Sequence, residues 1–281
     1  MAVQLITDSS TDFTSEEAKA LGLRHVPLTL VFGAEQYADA VDITPHEFYE
    51  KLVSSKDMPT TCQVTPGEFA QQIEQVIAQG DEAVVFTLSG KLSGTYQSAV
   101  IAAADYPDRV VVVDTENATI GGNILVRYAL RLRDQGKSAR EIGELLEQAK
   151  QKVRLYAVVD TLEYLKRGGR VSAAVAFAGS LLSIKPVLAV ESGEVVIKGK
   201  ARGNRQGNNM LKQMVEQGGG IDYDMPYALA YAGVSDENLK AFQADTASLW
   251  EGMQAPPVIH LGSVIGAHVG PGAVAVAFFE K

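Results

Sequence analysis

Short apolar, β-branched runs alternate with longer stretches of helical periodicity through the first 160 residues. The segment VQLI over 3–6 reads as a buried strand. Thr14 and Glu17 have capping-box spacing and open a helix that ends near Gly22. Residues 25–32 read as one strand, Gly33 offers a turn, and 36–41 read as the next strand. Thr44-Pro45-His46-Glu47 combines an N-cap, a proline at the first helical position and a box glutamate. Thr65-Pro66-Gly67-Glu68 repeats that arrangement and opens a helix to about Gln79. The uninterrupted apolar runs at 83–87 and 110–114 suit central strands of a parallel sheet covered on both faces. Helices are predicted at 95–105, 122–135 and 139–152.

The character changes after that. A strand at 154–159 is followed by a short helical turn, the pair Gly168-Gly169 and an uncharged, small-residue-rich helix at 172–182. Strands at 185–191 and 194–201 flank Ser192-Gly193, a hairpin signal. A helix at 204–217 ends at three glycines, and a strand at 227–233, a helix at 235–250 and strands at 258–262 and 273–279 complete the pattern. The class is α/β with mixed strands, and the boundary falls near residue 160 without a flexible linker.

The chain has 281 residues, with 25 basic against 34 acidic side chains and a net charge of −9. That balance disfavours a general nucleic-acid binder and leaves room for a local basic patch. A composition of 46% apolar and 21% charged residues argues against intrinsic disorder. A mean hydropathy of +0.02 raises the question of a membrane span, which needs about 20 consecutive apolar residues. The longest uncharged stretch, 252–279, is broken by Pro256, Pro257, Pro271 and several glycines, so no span is predicted. The first ten residues lack a basic region and an apolar core, so no signal peptide is predicted. The single cysteine, Cys62, fits a reducing compartment, and the expected location is cytoplasmic.

Three polar clusters follow predicted strands, where open α/β sheets bind ligands. TDSSTD at 7–12 is either a turn with a helix cap or a ligand contact. Residues 89–96 offer Ser93 as an N-cap, Gly94 as a point of close backbone approach, and helix N–H groups that favour an anion. This segment matches neither the phosphate-binding loop nor the Gly-x-Ser-x-Gly elbow, so support for Ser93 as a nucleophile is weak. In the third cluster, 262–272, four glycines and a proline predict an irregular backbone around His268. His268 is the one histidine of four with glycines two residues away on both sides. Lys166, Arg167, Arg170, Lys185, Lys200, Arg202 and Arg205 form a basic set, and Arg170 is the best candidate for holding a carboxylate or phosphate. No Cys/His set has metal spacing, and Asp8, Asp12, Asp39 and Asp42 have no spacing that specifies magnesium.

Taken together, these segments resemble the DegV family of bacterial lipid-binding proteins, which includes the fatty-acid-binding subunits of bacterial fatty acid kinase. The resemblance covers nearly the whole chain. It rests on TDSSTD at 7–12, VDITPHEFY at 41–49, TCQVTPGEF at 61–69, LSGTYQSA at 92–99, DTLEYLKRGGRVS at 160–172, SLLSIKPVL at 180–188 and VIGAHVGPGA at 264–273. It implies an N-terminal parallel-sheet, three-layer α/β/α domain at 1–160 and a C-terminal α/β lipid-binding domain with a mixed sheet at 161–281, with the ligand between them. The implied ligand is a long-chain fatty acid such as palmitate, its tail in an apolar tunnel. By motif position Thr61 and Ser93 hold the carboxylate, with Gly94, Thr95 and His268 close by, and Arg170 serves the polar end or partner docking. Cys62 and Val64 replace the usual Ser and Pro of Thr-Ser-Gln-Pro, which weakens any contact from residue 62.

The implied role is a carrier, not an enzyme. It has no cofactor and presents the carboxyl group to a separate fatty acid kinase in a step that feeds phospholipid synthesis. Nucleic acid is not an implied partner, and membrane contact is at most transient. Two alternatives stand beside it: a serine acyl hydrolase using Ser93 and His268, and a lipid-sensing module.

Overall fold

The computed structural model describes residues 2–171 and 184–281. The helix predicted at 172–182 therefore lies outside the described residues. In chain order the first half contains β1 (Val3–Asp8), α1 (Ser15–Ala20), β2 (Leu23–Val26), β3 (Thr29–Phe32), β4 (Glu35–Ala38), α2 (Pro45–Ser54), β5 (Thr60–Cys62), α3 (Pro66–Ala78), β6 (Glu82–Thr87), α4 (Thr95–Ala103), β7 (Val110–Asp114), α5 (Thr119–Asp134) and α6 (Ala139–Ala149). The second half continues with β8 (Val153–Val158), α7 (Glu163–Arg167), β9 (Ile184–Glu191), β10 (Glu194–Arg202), α8 (Gly203–Gln217), β11 (Ala228–Tyr231), α9 (Glu237–Asp245), β12 (Val258–His260), α10 (Ser263–Val269) and β13 (Val274–Phe279).

The capping chemistry read from the sequence starts three helices: complete capping boxes join Thr44 to Glu47 at α2 and Thr65 to Glu68 at α3, and at α1 the Thr14 side chain accepts from Glu17 N. A further complete box, not foreseen, joins Ser138 to Glu141 at α6. The apolar runs pair as a four-stranded parallel sheet in the order β2-β1-β6-β7. The strand at 110–114, expected to be central, is an edge strand of that sheet. A six-stranded mixed sheet has the order β10-β9-β8-β13-β11-β12, antiparallel except for the β11–β12 pair. Helix α5 joins the two domains. It is buried along most of its length and packs on β1 and β6 from one side and on β8, β11 and β13 from the other. Strand β8 precedes the expected boundary near residue 160, yet it is hydrogen-bonded between β9 and β13 in the second sheet.

Three local expectations are corrected. The single strand at 25–32 is two strands in different sheets: β2 pairs with β1, whereas β3 pairs with β4 and β5 in a separate antiparallel sheet. Pro27 lies at the break, where it donates no ladder bond, and the next N–H, from Leu28, goes to Ser9 Oγ at 3.0 Å. The helix predicted at 235–250 ends at Asp245 and resumes only as a short 3₁₀ turn over Ala247–Leu249. The glycine-rich segment around His268 is not irregular throughout, because it contains α10. Among the described residues, no helix is long and apolar enough to cross a membrane.

Candidate functional site

A cavity of about 390 Å³ lies between residues of the two halves, within the size range of small-molecule sites. Strand alternation builds one wall. Leu155 and Ala157 lie two apart on β8, and Ala157 pairs across the sheet with Leu188 and Ala275, so these side chains share one face. Leu28, Leu88 and Leu92 come from the first half, while Val264 and Ile265 enter from α10.

One edge of this apolar cavity is polar. Strand β5 presents Thr61, whose Oγ1 lies 2.9 Å from Nε2 of His268 on α10. Both side chains are half-buried. Burial lowers the His268 pKa from 6.5 to about 4, and the nearby positive charge of Arg170 adds to this. The imidazole is therefore neutral at neutral pH, and its Nδ1 has no hydrogen-bond partner among the described residues. Ser93 Oγ lies 2.9 Å from Thr95 Oγ1 and accepts the Thr95 N–H at 3.2 Å. Ser93 is not the N-cap of α4. Gly94 holds that position and carries no capping side chain, while Ser93 stays available at the cavity wall.

Of the seven residues singled out from the sequence, Thr61, Cys62, Ser93, Gly94, Arg170 and His268 all line this cavity. Thr95 does not. It is fully buried behind Ser93 and also accepts the Val64 N–H at 3.4 Å. Arg170 meets backbone carbonyls: its Nε donates to Leu92 O at 3.0 Å and its Nη1 to Gly168 O at 2.6 Å. The guanidinium thus ties the loop after α7 to the loop before α4. The space above Gly94 is taken by Gln63, since a Cβ there would come within 2.1 Å of Gln63 Oε1.

Gln63 and Thr119 also line the cavity and were not foreseen. Gln63 donates from Nε2 to Ser98 Oγ at 3.0 Å. The period-two signal was available for Gln63, which follows Thr61 by two residues. Thr119 opens α5 with φ of 48°, a conformation no local sequence signal marks. The TDSSTD cluster is a structural hub: Asp8 accepts from Ser10 N, Ser10 Oγ and Leu88 N at 3.0, 2.5 and 2.8 Å. Burial raises the pKa of Asp8 to about 6 and that of Asp12 to about 8.

A family model described as an uncharacterised protein of the DegV family matches residues 2–281. A DegV domain-containing protein of Deinococcus radiodurans is 36% identical over 281 residues, covering 99% of this chain and 98% of that protein. Among solved structures, a fatty-acid-binding DegV family protein from Thermus thermophilus superposes with a TM-score of 0.89 at 32% identity, covering all of both chains. A stearic-acid-binding protein from Eubacterium ventriosum has a TM-score of 0.87 at 26% identity, covering 100% of this chain and 99% of that one.

Proposed function

The chain belongs to the DegV family, and from that membership and the shape of the cavity we propose that it binds a long-chain fatty acid between its domains. The observation that carries this reading is a largely apolar cavity whose wall carries the contact between Thr61 and a neutral His268 and, with it, the Ser93 hydroxyl. A carboxylate needs donors, and two hydroxyls supply them: Thr61 when it accepts from His268 Nε2–H, and Ser93 when it accepts from Thr95. Each buried methylene contributes about 0.8 kcal/mol, so a C16 tail gives on the order of 10 kcal/mol before the costs of binding. The domain junction is drawn ahead of β8, because that strand is paired in the second sheet.

The protein acts as a carrier that presents the carboxyl group to a separate kinase, which forms the acyl phosphate. The hydrolase alternative lacks its assembled parts. Ser93 pairs with Thr95, His268 Nε2 pairs with Thr61, and among the described residues no acid orients Nδ1, whereas acyl hydrolysis needs a nucleophile, a base and an orienting group in one chain of contacts. Mass spectrometry of organic extracts from the purified protein tests the ligand. A protein that is consistently empty and fails to take up added palmitate refutes the reading. Fatty-acid-dependent ATP consumption that needs both this protein and a kinase tests the carrier role.

A further inference from the structure

Helix α10 carries His268 but is built to be held by others. It has seven residues, too short to be stable alone. The first N–H groups of any helix need acceptors, and its N-cap, Gly262, has no side chain to supply one. The acceptors come from the other end of the chain. Asp39 Oδ1 accepts from Ser263 N at 3.1 Å, Ser263 Oγ at 2.5 Å and Val264 N at 3.4 Å. Asp12 Oδ1 accepts from Gly262 N at 2.9 Å. Asp39, Asp12 and Ser263 are all buried.

We propose that Asp39 and Asp12 are positioning residues for the ligand site, holding His268 against Thr61 by clamping the first turn of α10. The proposal rests on the fatty-acid reading above. His268 is five residues beyond Ser263, about 7.5 Å along the axis, so a shift at the clamp is carried to the ring. The remaining supports of α10 leave little slack. A Cβ at Gly262 would lie 2.8 Å from Asp12 Oδ1, and one at Gly266 would lie 2.5 Å from Phe48 and 2.6 Å from the Tyr49 hydroxyl. The helix ends at Gly270, with φ of 70°, against the Tyr164 ring. The clamp fixes the axial position, and the Phe48–Tyr49 contact fixes the distance from the first domain.

The test is a double-mutant cycle on the full chain. Palmitate affinity is measured at 25 °C, below the melting transition established for each variant. Asp39→Ala is expected to weaken palmitate binding ~10-fold in the wild-type background and less than ~2-fold in His268→Ala, because coupled sites are non-additive. Asp39→Asn keeps an acceptor oxygen and is expected to retain most of the affinity. In the ligand-free protein the ¹⁵N resonances of the His268 ring are expected to move in Asp39→Ala and not in Asp39→Asn. Equal losses in both backgrounds, or unmoved ring resonances, overturn the proposal. If Asp39→Ala does not fold, Ser263→Ala, which removes one of the three bonds, runs the same cycle. A wild-type protein that binds no palmitate refutes the fatty-acid reading, and the resonance measurement still decides the clamp.

Discussion

Replacing Gly168 by alanine isolates the position of the His268 ring. Gly168 ends α7 with φ of −71° and ψ of −11°, a helical conformation in which alanine fits and gains up to about 1 kcal/mol over glycine. The new methyl carbon would lie 2.3 Å from His268 Nδ1 and 2.8 Å from Cε1. Ordinary contacts lie near 3.5–4.0 Å, so the ring must move by about 1 Å or more. Overpacking of this kind costs about 1–3 kcal/mol, which leaves a net loss of stability of about 0–2 kcal/mol once the helical gain is subtracted. The movement breaks the Thr61–His268 hydrogen bond, worth about 1 kcal/mol, and palmitate affinity falls about fivefold. Titration of palmitate at 25 °C and a thermal melt measure the two effects. In the His268→Ala background the clash is gone, so Gly168→Ala is expected to be neutral or slightly stabilising there, with no further effect on affinity. An equal loss of affinity in both backgrounds would refute the reasoning, because the methyl would then act through something other than His268.

Three further outcomes follow from the same geometry. Thr61→Val removes the hydroxyl at nearly constant volume and leaves His268 Nε2 without its partner, so palmitate affinity falls about fivefold; Thr60→Val, on an exposed residue outside the cavity wall, leaves it unchanged. His268 titrates near 4 in the folded protein against 6.5 unfolded, so between those values the unfolded state binds a proton that the folded state lacks. The contribution of this group to the unfolding free energy therefore rises with pH across that window, by up to about 3 kcal/mol. Urea titrations at pH 4.5 and 6.5 should show a change in stability that is less positive in His268→Gln than in the wild type, and an identical change would contradict it; His25, depressed to about 4 by burial, and Asp8 and Asp12, raised by burial with the opposite effect on stability, are common to both proteins. Cys62 is exposed at the cavity wall, so a maleimide reagent is expected to label it in the empty protein and more slowly with palmitate bound, whereas equal rates would place the ligand elsewhere.

Much of the secondary structure was legible because its causes are local. Thr44-Pro45 with Glu47 and Thr65-Pro66 with Glu68 contain everything their helix starts need, and both boxes form. The valine run at 110–114 reads as a strand from composition alone, but its place at the sheet edge depends on which strands pair. The break at Pro27 was hidden because residues 25–32 are uniformly strand-like on either side of it. The glycines around His268 obscured α10, since glycine lowers helix propensity and the compensating acceptors are Asp12 and Asp39, more than 220 residues away.

The site divides in the same way. Residue chemistry pointed to Ser93, Arg170 and His268, because hydroxyl, guanidinium and imidazole carry their chemistry wherever they sit, and the family resemblance carried by motif order added Thr61 and the apolar tunnel. Which hydroxyl meets the imidazole was decided by tertiary structure. Thr61 and His268 are 207 positions apart, and their contact depends on β5 pairing with β3 and on α10 being clamped by the first domain. Capping and periodicity act over a few residues and are written in the chain, whereas strand order, the buried carboxylate clamp and the tie between Arg170 and Leu92 exist only once distant segments have packed together.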